Sequence, residues 1–135
     1  MKCVIVIDHT LPKGLAANTT AVLSISLGDQ LSNVVGSSVV DAAGGIYPGL
    51  VHIPIPILCA QEDKLKNIRS IAMEKDDEDL RYVAVTDVAQ RSKNYQSYLR
   101  DMLESDPERI KYLGIALYGR KKAVTSITGD LPLYK

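Results

Sequence analysis

The sequence predicts a single three-layer α/β domain over residues 1–135, built on a mixed, roughly four-stranded sheet with helices on both faces. Three observations carry this. Apolar strand-like runs at Cys3–Ile7, Tyr82–Thr86 and within "KYLGIALYG" (111–119) alternate with stretches of helical period, as layered α/β folds require. Glycine and proline punctuate the joins. A chain of 135 residues with 46% apolar and 24% charged content is sized for one hydrophobic core.

Cys3 to Ile7 is unbroken in its apolarity, which predicts a central strand covered on both faces. From Leu15 the period changes: Leu23, Leu27, Leu31 and Val34 lie on one helical face. Gly28 interrupts that helix at about 1 kcal/mol relative to alanine, and Gly36 is its expected end. "DAAGGIYPG" (41–49) reads as a loop. In "LVHIPIPILC" (50–59), Ile53, Ile55 and Ile57 alternate with Pro54 and Pro56. Both missing donors then fall on one side, predicting a peripheral strand at Ile53–Ile57.

Leu65, Ile68 and Ala72 give a helix over Asp63–Glu74, and "DDED" (76–79) a solvated turn before the strand at Tyr82–Thr86. Tyr95–Glu104 is the next helix, with Tyr95, Tyr98, Leu99 and Met102 on one side. After the 111–119 strand, a short helix over Arg120–Ile127 is closed by Gly129.

Lys plus Arg equals Asp plus Glu at 16 each, so a strongly basic nucleic-acid surface is not indicated, although a small local patch fits the balance. The apolar run before Asp8 is too short for a signal-peptide core, and no run reaches membrane length. Cys3 and Cys59 lack metal-ligand spacing and read as reduced thiols of a cytoplasmic protein. Neither a metal nor a cofactor is expected. The apolar, proline-bearing edge and seven tyrosines predict a homodimer.

Two polar loops follow apolar strands, the placement that hosts sites in α/β folds. "DHTLPKGLAANTT" (8–20) puts Lys13 and Gly14 at a helix mouth, where unpaired N–H groups favour anions, with His9 just before and Asn18 and Thr19 as helix-entry or capping residues. "TDVAQRSKN" (86–94) gathers Asp87, Arg91, Ser92 and Asn94. Cys59 ends a strand before a helix start, where a thiolate is stabilised, although a small buried thiol satisfies the same pattern.

"VIVID" (4–8) with "LPKGLAAN" (11–18), "VAVTDVAQRS" (83–92) and "YLGIALYGRKKAVTSITGDLPLY" (112–134) resemble, in order, motifs of the archaeal and eukaryotic-type (type 2) peptidyl-tRNA hydrolases. The chain is more similar still to a small domain-of-unknown-function family grouped with that fold. The resemblance implies hydrolysis of the ester joining a peptide to tRNA, with a lysine, an aspartate and a threonine in the site. Lys13 and Asp87 match the first two, while Arg91 stands at the threonine spacing and Ser92 one residue beyond. Leu15 replaces a second basic residue, Val22 a frequent histidine, and residues 95–110 are an extra segment.

The expected site is therefore catalytic Lys13, Asp87 and Ser92, with His9, Gly14, Asn18 and Arg91 binding substrate. Asp87 would orient a water, and Lys13 with helix-start N–H groups would hold an oxyanion or a phosphate. The partner implied is tRNA or a small anionic ligand. The alternative is a non-enzymatic small-anion or nucleotide-binding protein that kept the pocket and lost the reaction. Lys13 and Asp87 are expected in one cleft, at the ends of neighbouring central strands.

Overall fold

In the computed structural model, which describes residues 1–135, the elements run β1 (Lys2–Asp8), α1 (Lys13–Gly28), β2 (Val39–Val40), β3 (Ile46–Tyr47), β4 (Ile57–Ala60), α2 (Glu62–Glu74), β5 (Arg81–Thr86), α3 (Asp87–Arg91), α4 (Tyr95–Glu104), β6 (Tyr112–Gly119) and α5 (Lys121–Thr128). The main sheet is four-stranded, in the order β4-β1-β6-β5. The most continuously apolar strands take the middle: β1 is buried from Cys3 to Asp8, and β6 from Leu113 to Leu117. β1 runs parallel to β4 and antiparallel to β6, which is also antiparallel to β5.

Residue size along β6 sorts the two faces. Gly114 and Ala116 face α1, whose Leu23 and Leu27 pack with Ile5 and Ile7. A Cβ on Gly114 would come within 2.9 Å of Ile7 Cδ1 and 3.0 Å of Leu23 Cδ1, so the bare backbone lets the helix lie close. Ile115 and Leu117 face the opposite way, joining Val4, Val6, Leu65, Ile68, Val124 and Ile127 beneath α2 and α5. Helices thus cover both faces, each large buried side chain contributing about 1.5–3 kcal/mol.

Several expected boundaries move. α1 begins at Lys13 and stops at Gly28 instead of running to Gly36, so the glycine defect ends the helix rather than bending it. Asn18 and Thr19 are not caps: Asn18 is exposed in the second turn, and Thr19 is buried against the sheet. Residues 53–56 form no ladder and the strand begins only at Ile57, because two prolines remove alternate donors. Ile53, Ile55 and Ile57 instead turn toward the α1-side core. The outer edge of β4, expected to stand open, is closed by the chain's own end: Cys59 N–H donates to Pro132 O (2.9 Å) and Tyr134 N–H to Ile57 O (2.8 Å).

Residues 33–52 form an arm instead of a loop. β2 and β3 pair as a two-stranded ribbon, Val39 opposite Tyr47 and Val40 opposite Ile46. Its turn is built on Asp41, whose Oδ1 accepts from Gly45 N–H (2.8 Å) and Ala43 N–H (2.9 Å), and whose Oδ2 accepts from the Tyr47 hydroxyl (3.0 Å). These bonds, led by Gly45 and Ala43, hold the carboxyl below the usual carboxylate range. Gly36 N–H to Leu50 O (2.9 Å) and His52 N–H to Val34 O (3.0 Å) tie the base of the arm, and the His52 ring closes on Asn33 O at 2.9 Å. α4 keeps its expected span, but none of its residues is buried.

Candidate functional site

Because β1, β4 and β5 run the same way, their carboxyl ends, Asp8, Ala60 and Thr86, share one edge of the sheet. α1, α2 and α3 start from that edge, the usual location for sites in α/β sheets. Both polar loops singled out in the sequence open there.

The helix mouths differ in charge. α2 carries Glu62 and Asp63 in its first turn, and α3 carries Asp87 behind the capping hydroxyl of Thr86. These carboxylates already answer the positive dipole. α1 has neither a side-chain cap nor an acid in its first turn; it begins behind Pro12 with Lys13 exposed and without an ion-pair partner. A Cβ on Gly14 would meet nothing within 4 Å, so the backbone there is open to an incoming group. Asn18 lies one turn further on, also exposed.

Asp87 is committed twice over. Its Oδ1 accepts from Lys111 N–H (3.1 Å), while its own N–H donates to Lys111 O (2.9 Å), stitching the start of α3 to the lead-in of β6. Its Oδ2 pairs with Arg91 at 3.1 Å across one helical turn. Ser92 Oγ sits 2.7 Å from Val88 O and 3.0 Å from Asp101 Oδ2, so its single proton is spoken for. The segment expected to be a loop is thus a short capped helix, with Arg91 beside Asp87.

Lys13 and Asp87 are not on neighbouring central strands. β6 lies between β1 and β5, and β5 is the outer strand. Two strand spacings put the chain ends about 10 Å apart, and no principal cavity is lined by both residues. The antiparallel insertion of the last strand between earlier ones is what separates them.

Sequence reasoning passed over Asp8, a buried carboxylate that ends the central strand. Its Oδ1 accepts from Thr10 N–H (2.9 Å) and Thr10 Oγ1–H (2.8 Å). His9, exposed, turns Nδ1 toward Ala60 O (3.3 Å), with Asp8 Oδ1 at 3.7 Å. Together with Thr10, Gln61, Glu62, Asp63 and Lys66 they line an open hollow of about 540 Å³ at the ends of β1 and β4, with no hydrophobic residue in its wall. The signal was present: an acid closing an otherwise apolar run has to be satisfied locally.

No cluster of His, Cys, Asp and Glu has metal-site geometry. Cys3 is buried, and burial pushes its thiol pKa up. Cys59 is half-buried with Sγ 3.8 Å from Leu133 O, under the chain's closing segment. No helix is long and apolar enough to cross a membrane.

Comparison with solved structures finds a protein of unknown function from Agrobacterium tumefaciens strain C58, with a TM-score of 0.86, 21% identity, and coverage of 99% of this chain and 97% of that one. At that identity the likeness is one of fold. No curated protein matches the sequence. The family model described as "Protein of unknown function (DUF2000)" matches residues 1–135, and the chain belongs to that family.

Proposed function

We propose that this protein binds a small phosphate- or carboxylate-bearing ligand at the mouth of α1, without hydrolysing it. The observation that carries this is the contrast among the three mouths: α1 alone has no carboxylate or side-chain cap, and it carries the unpaired Lys13. Backbone N–H groups at Gly14 and Leu15, the positive dipole and one ammonium make an anion cradle. The zero formal net charge supports a small ligand over a tRNA, whose backbone calls for a broad basic surface. Both cysteines are free, which supports the reducing, cytoplasmic setting expected from the sequence.

Titration of inorganic phosphate and a nucleoside monophosphate at low salt tests it. Lys13→Ala is expected to weaken binding about tenfold, the worth of one charge-assisted contact. Its melting temperature should stay unchanged, since an exposed lysine packs against little. Phosphate and nucleotide that both fail to bind wild type at millimolar concentration would sink this reading.

The second reading is hydrolysis of peptidyl-tRNA or a smaller acyl ester, on the resemblance to the type 2 peptidyl-tRNA hydrolases. It is supported by Lys13 and Asp87 opening on the same end of the sheet, with Arg91 beside the carboxylate. It requires Asp87 to shed Arg91 and take up a water, because an engaged carboxylate is a poor base. Asp87→Asn would then abolish ester cleavage and leave anion binding in place. Its stability cost should stay near or below about 1 kcal/mol, because Arg91 is more than half exposed. Cleavage of peptidyl-tRNA by wild type, lost in Asp87→Asn, would decide for the enzyme.

A further inference from the structure

We infer that the arm at residues 33–52 is a dimerisation element that docks against β5 and α4 of a second copy of this chain. The arm is unusual for a surface feature. Val39, Val40, Ile46, Tyr47 and Leu50 are between 54% and 80% exposed, and its ribbon is covered on neither face. An isolated two-stranded ribbon with two residues per strand is marginal in water and gains stability only when packed. Its one formal charge, Asp41, is exposed but engaged by the hairpin's own Ala43 and Gly45 N–H groups.

A receiving surface is present on the same molecule. β5 pairs only with β6, so its outer edge is unoccupied, unlike the edge of β4, which the chain's own end covers. Beside β5 lies an open cleft of about 430 Å³, lined by Val22, Val83, Val85, Ala89, Tyr95 and Tyr98 among others, with no Asp, Glu, Lys, Arg or His in its wall. The cleft continues onto α4, where Tyr95, Leu99 and Leu103 form an exposed i, i+4, i+8 stripe, 53–88% accessible.

Two observations select a second copy over an unrelated partner. Arm and cleft are matched in charge, the arm carrying only Asp41 and the mostly apolar cleft wall only the neutral polar groups of Ser26, Gln30, Ser92 and Asn94, whereas partners of opposite charge would leave a charged imprint on one of them. At about 100 Å² per exposed residue, arm and α4 stripe together offer roughly 800 Å² of apolar surface, about what each side of a standard stable interface buries. Reciprocal exchange, each arm onto the other copy's β5 edge and α4 stripe, gives a closed two-fold assembly with both features covered.

Sedimentation of the full chain tests this with Ile46→Asp on the arm and Leu103→Asp on α4, 74% and 88% exposed. Wild type should sediment at twice 14.7 kDa. Each variant should weaken association about 100-fold, as burying a charge at an interface centre does, with circular dichroism and melting of dilute protein unchanged. Wild type remaining at 14.7 kDa at high concentration overturns the proposal and leaves this surface to another partner. A dimer disrupted by Ile46→Asp but untouched by Leu103→Asp overturns it as well, because the arms would then meet each other.

Discussion

Replacing Ile115 with alanine is expected to destabilise the domain by about 4 kcal/mol, within the 2–5 kcal/mol typical of a fully buried isoleucine truncation. Ile115 is wholly buried on β6, paired with Val6 of β1 and Ala84 of β5. Its side chain sits in the core cluster that also holds Leu65 and Ile68 of α2 and Val124 of α5. Truncation at such a junction leaves a cavity that a sheet hydrogen-bonded on both sides cannot collapse to fill. Domains of this size hold about 5–15 kcal/mol in total, so the loss takes a large share and lowers the melting temperature by roughly 15 °C. Ile115→Val, keeping most of the volume, should cost about 1 kcal/mol. Urea unfolding with an unchanged m-value measures both. A loss below 1 kcal/mol for the alanine variant would show that α2 and α5 settle onto the sheet far more freely than this packing allows.

The central placement of β1 was legible because it rests on burial alone. Six consecutive residues from Cys3 to Asp8 are covered, and a strand covered on both faces has no polar positions to spare. α2 was legible for the complementary reason, with Leu65, Ile68 and Ala72 marking one buried stripe. α4 shows where periodicity misleads. Its apolar side has helical spacing, yet the chain covers only part of it: Tyr98 and Met102 are half-buried while Tyr95 and Leu99 stay exposed, because amphipathicity records what a face needs and not who supplies it. The "DAAGGIYPG" stretch was read as loop because its turn residues are conspicuous. The ribbon around it is set by the paired register of Val39–Val40 and Ile46–Tyr47, which composition does not announce.

At the site, local chemistry was readable and long-range placement was not. Lys13 at a helix mouth follows from the residues themselves, whereas the missing cap does not, since Asn18 and Thr19 had the residue types to supply one. That β6 would enter between β1 and β5 depends on the last strand of the chain, far from either loop. The engagement of Asp87 by Lys111 is likewise a contact across 24 positions, invisible to any window. Asp8 could have been found by asking what satisfies an acid at the end of a buried strand. The answer, Thr10, is only two residues away.

Gly49→Ala is expected to unfasten the arm while leaving the main sheet standing. At the arm's base the two limbs cross so closely that a Cβ on Gly49 would fall onto the Gly36 carbonyl, 2.7 Å from its carbon and 2.9 Å from Ser37 O. Those are backbone atoms, which have no rotamer to escape into, so the limbs must separate. Separation breaks the bonds from Gly36 N–H to Leu50 O and from His52 N–H to Val34 O, and with them the Val35–Val51 bridge. Backbone overpacking of this kind costs about 3 kcal/mol, at the upper end for inserted methyl groups, more than an exposed two-stranded ribbon can supply. Hydrogen exchange should therefore speed up at Gly36 and His52 and stay slow at Ile5 and Ile115, and association of the chain should fall with it. The neighbouring glycine is the control. A Cβ on Gly36 would lie 3.6 Å from Leu50 O, an ordinary contact, so Gly36→Ala should keep both protection and assembly. If Gly49→Ala protects Gly36 and His52 as well as wild type does, the limbs do not cross at this distance and the arm is held by something other than its base.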